Sequence, residues 1–299
     1  MSIPADNRAT VLAGIGLISG SYFLFTVHDA LIKLLVTSFA VWQVLFFRSL
    51  TILIGCAILG GGRLYAESAR SPILGKMFLR SLIIMGAWLC YFTAAKDLQL
   101  AELTTIYFAA PIIVVVLAIL LLGEKVNGAQ WTAVLTGFAG VFIACDPASL
   151  GLSLPVLLVL IAAFGWGLSI VLLRKIARDE KTSVQMVLNN CFFLATAGIP
   201  LIFYWRTPDL AESAILIGAG VVGGIAQITM FEAMKRAPAS VLAPFEYTAL
   251  VWAFLLGYLI WGDVPRPGVF YGATLIVAAG FIVIVAEHIR RPARVRPAD

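Results

Sequence analysis

Long apolar runs alternate with short polar breaks along the whole chain. Runs near twenty residues, the length of helix that crosses a hydrocarbon core, occur at 10–36, 40–60, 77–95, 103–122, 128–145, 153–173, 183–204, 213–234, 239–261 and 268–287. Turn residues separate them: Gly60-Gly61-Gly62, GEKVNG at 123–128, DPASLG at 146–151, RTPD at 206–209 and GDVPRPG at 262–268. The pattern predicts an all-α polytopic membrane protein with ten transmembrane helices in a single transmembrane domain, 1–299. Its links are too short for an extramembrane active site.

Composition strengthens this reading. The chain is 61% hydrophobic and 12% charged, with mean hydropathy +1.00, where soluble chains carry about a quarter charged residues. Orientation follows from Lys and Arg in the short links. With the N-terminus inside, the inner segments hold Arg8; Arg63, Arg70, Lys76 and Arg80; Lys125; Arg174, Lys175, Arg178 and Lys181; Lys235 and Arg236; and the C-terminal arginines. The outer segments hold Lys96, Arg206 and Arg266, while Lys33 and Arg48 lie within spans. Both termini are therefore expected in the cytoplasm, and the sequence pI of 9.1 reports topology rather than a nucleic-acid partner. Cys56, Cys90, Cys145 and Cys191 sit in apolar runs without metal-ligand or redox spacing, so no disulfide and no metal are expected. The polar MSIPADNRAT start precedes a run too long for a signal peptide, which reads as a retained helix.

The chain also repeats itself. A shift of 139 residues lays YFTAAKDLQLAELTTIYF (91–108) on MFEAMKRAPASVLAPFEY (230–247) and Gly123-Glu124 on Gly262-Asp263. Small further shifts place Gln43 and Arg48 on Gln185 and Asn190. The first repeat spans 10–146 and the second 153–288. Five helices is an odd number, so the second copy enters the membrane inverted. Inverted repeats give two similar states, each open to one side, around a midplane site.

Ten spans in two five-helix repeats, each with GE or GD before a Gly-bearing last helix, resemble the EamA-like branch of the drug/metabolite transporter superfamily. The resemblance covers about 10–287, with Asp263 where that pattern more often has Glu. It implies a bacterial inner-membrane location, a central cavity walled by helices 1–4 and 6–9, and export. Similar members include neutral and aromatic amino-acid exporters of the YddG type and nucleotide-derivative carriers.

Several residues are candidates for the transport path. His28, Asp29 and Lys33 interrupt the first run, where an ionised group is costly. Asp29 and Arg48 flank a hairpin near 37–40 and reach similar depth, so they form a candidate gate or coupling group with His28. The competing arrangements are an Asp29–Lys33 pair four residues apart, and a packing role for His28. Glu246 has no evident basic neighbour at its depth, whereas Glu232 lies close to Lys235 and Arg236. Asn190 offers an amide. Trp88, Tyr91, Tyr107, Trp166, Tyr247 and Trp252 are either cavity wall or packing. Pro111 and Pro244 interrupt helices 4 and 9, as hinges or as fixed kinks. Gly16-x3-Gly20 and Gly220-x3-Gly224 read as close packing faces.

No nucleophile–base pair suits an intramembrane hydrolase; the alternative of another class, a channel or structural membrane subunit, would show a continuous pore without alternating states. The sequence thus predicts a carrier without cofactor, a monomer or weak homodimer, working by alternating access. Its expected cargo is a small amphipathic metabolite, foremost neutral or aromatic amino acids. The alternative cargo is a nucleotide- or nucleoside-type metabolite such as S-adenosylmethionine.

Overall fold

The computed structural model describes residues 8–35, 38–94, 106–145, 153–177, 179–262 and 267–289. All regular structure among them is helical: α1 (Arg8–Leu35), α2 (Val41–Ala69), α3 (Leu74–Ala94), α4 (Ala110–Leu122), α5 (Gly128–Cys145), α6 (Leu154–Ala177), α7 (Thr182–Tyr204) and α8 (Leu210–Arg236) come first. A four-residue α9 (Ala239–Leu242), a 3-10 stretch (Ala243–Tyr247), α10 (Thr248–Trp261) and α11 (Pro267–Ile289) complete the chain. Seven helical spans are long and apolar enough to cross a membrane, and three shorter apolar helices accompany them. Large apolar side chains face outward, among them Leu59, Ile202 and Phe203. That is the surface a bilayer solvates and water does not.

The expected Gly60-Gly61-Gly62 break interrupts the helical backbone of α2: Gly61 takes the non-helical φ of 59°, which glycine alone adopts without strain. Past the bend the chain folds back, and the Tyr65 hydroxyl donates to the Leu53 carbonyl at 2.5 Å. The expected single helix at 239–261 is broken. Pro244 lacks the N–H that an α-helical turn needs, and the backbone tightens there to the 3-10 stretch. The segment 95–105, which includes the start of the expected fourth span, lies outside the described residues.

Helix pairing follows a simple rule. The most extensive contacts join α1 to α8, α2 to α7, α3 to α6 and α5 to α11, while α4 meets α9 and the 3-10 stretch. Exchanging each helix with its counterpart in the other half maps this set onto itself. Phe108 and Tyr247 are 139 positions apart, and their rings lie against each other with centroids 5.8 Å apart. Residues exchanged by a two-fold axis can touch only near that axis. Gly123 and Gly262, equally spaced, close α4 and α10 with left-handed φ values of 64° and 72°.

Glu124, just after the first of these glycines, ties the halves together. Its carboxylate accepts from the Ala239 N–H at 3.1 Å, the Ser240 N–H at 3.0 Å and the Ser240 hydroxyl at 2.6 Å. Arg174 stands 3.9 Å away. The orphan donors that begin the ninth span are thereby satisfied.

The glycine faces diverge. A Cβ on Gly220 would meet Thr51 at 2.6 Å, and one on Gly223 would meet His28 at 2.7 Å and Arg48 at 2.9 Å. That face brings α8 onto α1 and α2, as expected for small residues at a helix contact. Gly16 and Gly20 have nothing within 4 Å, so the expected packing role is absent there; they open outward from α1.

The two ends of the bundle are closed differently. At one end Gln43 clamps the link before α8: its Nε2 donates to the Arg206 carbonyl at 2.5 Å, and its Oε1 accepts from the Arg206 N–H at 3.0 Å. Arg206 also donates to the Ser38 carbonyl and lies over the Phe39 ring. At the other end side-chain pairs cross between the links, with Lys181–Glu67 at 2.5 Å, Ser71–Glu180 at 2.7 Å and Lys76–Asp179 at 3.5 Å. Two hollows of about 340 and 430 Å³ open there, both lined by Arg63, Glu67 and Lys181.

Candidate functional site

The broken ninth span delivers the central acidic group. The 3-10 stretch after Pro244 turns Glu246 inward, where it is 3% exposed. Tyr22 of α1 and Trp166 of α6 lie against its carboxylate. The Trp166 Nε1 is buried and completes no hydrogen bond of good geometry, although it faces this oxygen pair. Tyr107 lies within electrostatic range of Glu246, Tyr91 and Tyr22, and the Tyr91 and Tyr107 rings meet edge to face at 5.0 Å. Among the described residues no Lys or Arg forms an ion pair with Glu246. A carboxylate placed so deep without a cation is costly, which sets it apart from Glu232, paired with Lys235 and Arg236.

A cationic group lies against a second tryptophan of the same apolar cluster. Trp166 and Trp88 pack on one apolar cluster with Phe193. The Arg48 guanidinium stands over the Trp88 ring, 5.6 Å from its centroid, a separation at which the ring quadrupole attracts a cation. Arg48 is 3% exposed, and its Nε has no acceptor. His28 is beside it, brought close by Gly223. The His28 Nδ1 meets the Asp29 carboxylate at 3.2 Å, with the histidine buried and the Asp29 side chain 74% exposed. Asp29 reaches Arg48 only through its electric field, because the aspartate turns outward and the arginine inward. His28 thus occupies the space between them. Lys33 is exposed near the C-terminal end of α1.

The other expected residues fall in separate surroundings. Asn190 is fully buried and donates to the Met186 carbonyl at 2.8 Å and to Gln227 Oε1 at 3.2 Å, while its own Oδ1 has no partner. Tyr247 packs with Phe108, Val141, Leu250 and Ile276, on a cluster distinct from the one holding Trp88. Trp252 meets Phe23 edge to face at 4.9 Å, and Phe23 is exposed. Pro111 sits in the first turn of α4, where its missing N–H leaves no hydrogen bond broken. Pro244 occupies the corresponding place in the 3-10 stretch. Among the described residues no His, Cys, Asp and Glu group could hold a metal ion.

Sequence reasoning missed Tyr22 and Arg80. Tyr22 lies on the buried stripe Ile18–Tyr22–Thr26 of α1, a spacing of four that marks an inward helix face. Arg80, counted above with the loop charges, is inside α3 and 4% exposed. The charge bias survives its removal, but the residue is no topological marker.

Comparison with known proteins gives the same direction. The EamA-like transporter family matches twice, at residues 12–145 and 153–285. The chain is 25% identical to an S-adenosylmethionine uptake transporter of Rickettsia bellii, covering 94% of this chain and 97% of that one. It is 29% identical to a riboflavin transporter of Vibrio cholerae (71% and 72% covered) and 26% identical to a pseudopaline exporter of Pseudomonas aeruginosa (88% and 90% covered). A crystal structure with 21% identity superposes with a TM-score of 0.75 over 95% of this chain and 99% of that one, showing the shared fold. The chain is a multi-pass membrane protein and belongs to the EamA-like transporter family.

Proposed function

We propose that the chain is an alternating-access carrier for small zwitterions that join an α-amino-acid group to an aromatic or purine-like ring. S-adenosylmethionine-type metabolites are the first reading and neutral aromatic amino acids the second. One observation carries this: Glu246 and Arg48 are buried and form no ion pair among the described residues, and Trp166 beside Glu246 and Trp88 beneath Arg48 pack on one apolar cluster. A carboxylate suits an ammonium or sulfonium group, a guanidinium suits a carboxylate, and aromatic faces beside them suit a planar ring. The relatives named for S-adenosylmethionine and riboflavin support the ring-bearing class. The geometry itself also admits phenylalanine or tryptophan.

The mechanism rests on two inverted repeats, 10–146 and 153–288, in ten spans with both termini in the cytoplasm. The self-mapping helix pairs, the paired Gly123 and Gly262 caps and the Phe108–Tyr247 contact support it. In this topology the Gln43–Arg206 clamp closes the external face, and the two hollows face the cytoplasm. Rocking would open the first and close the second around Glu246. His28 and Asp29 sit beside the external passage as gate residues.

The test is saturable flux in proteoliposomes of the full chain. Labelled S-adenosylmethionine should enter with saturation, and riboflavin-like or amino-acid competitors should rank by ring and amino-acid group. Saturable phenylalanine flux that S-adenosylmethionine does not compete for would favour the second reading. Flux of neither would reject both.

A further inference from the structure

A second buried guanidinium lies at the opposite end of α3 from Trp88. Arg80 is held by neutral groups only: its Nε donates to the Ser169 carbonyl at 3.1 Å, and its Nη1 donates to Asn189 Oδ1 at 2.7 Å. The Phe231 ring covers it at 5.4 Å. A guanidinium carries five N–H donors, and among the described residues Arg80 makes these two hydrogen bonds and no ion pair. The Ser169 hydroxyl, fully buried, is unpartnered as well. Buried charges are ordinarily paired, so a full charge among α3, α6, α7 and α8 that is held by neutral groups has donor capacity left for an anion.

The position gives that anion a meaning. Arg80 is seven residues into α3 and Arg48 eight residues into α2, which run in opposite directions, so each lies about 10 Å in from opposite ends of the bundle. Eight residues of α3, about 12 Å of helix, separate Arg80 from Trp88, over which Arg48 sits. We infer that Arg80, with Asn189 and the Ser169 hydroxyl, forms a second anion-binding station on the cytoplasmic side, taking the carboxylate of the transported zwitterion. Arg48 and Arg80 then hold that carboxylate in turn as the carrier opens to each face. The choice of ligand rests on the zwitterion reading above; the anion site itself does not.

Two measurements on the full chain separate these claims. In proteoliposomes of known orientation, Arg80→Gln should raise the cytoplasmic-face KM for S-adenosylmethionine about tenfold. It should leave the KM for decarboxylated S-adenosylmethionine unchanged. Arg80→Lys should give a partial rise, since it keeps the charge and loses the fork. Ser169→Ala, which leaves the cation in place, should raise KM two- to threefold for the carboxylate-bearing substrate only. Equal effects on both substrates, or none, would overturn the station. Independently, acetate should raise the melting temperature of the solubilised chain, in both wild type and Arg48→Gln, relative to chloride at the same ionic strength. Arg80→Lys should reduce that gain and Arg80→Gln abolish it. A gain that persists in Arg80→Gln, or is absent from wild type, rejects the anion site whatever the substrate. An acetate gain without flux of either substrate would instead reject only the zwitterion reading.

Discussion

Two carboxylates, Glu124 and Glu246, differ in how fully the fold satisfies them. Glu124 accepts three hydrogen bonds from Ala239 and Ser240 and has Arg174 close by. Each of its oxygens is used, and the use is internal: it joins the end of α4 to the start of the ninth span. Glu246, seven residues beyond Ala239 in that same span, is more deeply buried, yet among the described residues only Tyr22 and an imperfectly placed Trp166 lie against its carboxylate. A satisfied buried charge holds structure together; an under-satisfied one has capacity left for a ligand.

The comparison can be broken first at Glu124. Glu124→Ala removes three charge-assisted hydrogen bonds and leaves two backbone donors orphaned, which should cost about 2–4 kcal/mol of stability. A drop in melting temperature of the solubilised chain, with flux lost in proportion to folded protein, would show it. Gly223→Ala comes next: the added methyl would press on His28 and Arg48, an overpacking worth about 1–3 kcal/mol. It should also perturb the buried His28–Arg48 pair, the proposed gate. Thermal melts combined with external-face KM would detect both effects.

Gln43→Ala should cost about 1–2 kcal/mol, since two hydrogen bonds to the Arg206 backbone vanish. Its sharper signature is access: a cysteine introduced at Ser38 should label faster from outside once the clamp is loosened. The smallest effect belongs to Glu180, in the link between α6 and α7. The Ser71 hydroxyl and the Lys181 N–H hold its carboxyl below the ordinary value of 4.5. A depressed carboxyl stabilises the fold above its unfolded pKa, and that contribution disappears as pH falls through the folded one. Wild type and Glu180→Gln should therefore differ slightly in melting temperature at pH 7 and converge in acid.

Much of this arrangement was legible in the chain. Apolar run length located the helices, and a constant offset of 139 residues foretold equivalent glycine caps at Gly123 and Gly262. Glu246 stood out because no basic residue shared its depth. What the linear pattern could not supply was direction around each helix. Arg80 looked like a loop charge because it lies near the end of an apolar run, and only packing by α6, α7 and α8 shows it enclosed. Asp29 and Arg48 share a depth, but opposite rotations about their helices keep them from pairing. Tyr22 was overlooked because a single tyrosine in an apolar helix carries no signal until its face is known. The Gly60-Gly61-Gly62 triplet was ambiguous for a related reason, since glycine permits a bend and an end equally well.

The central claim, that Glu246 serves cargo and Glu232 serves structure, meets its most direct test in one flux experiment. Purified wild type, Glu246→Gln and Glu232→Gln are placed in proteoliposomes and compared for saturable S-adenosylmethionine transport, with melting temperature as control. Glu246→Gln should lose at least tenfold in flux, equivalent to about 1.4 kcal/mol or more, while melting near wild type. Glu232→Gln should keep most of its flux. Near-equal flux in the two variants, with both folded, would contradict the account.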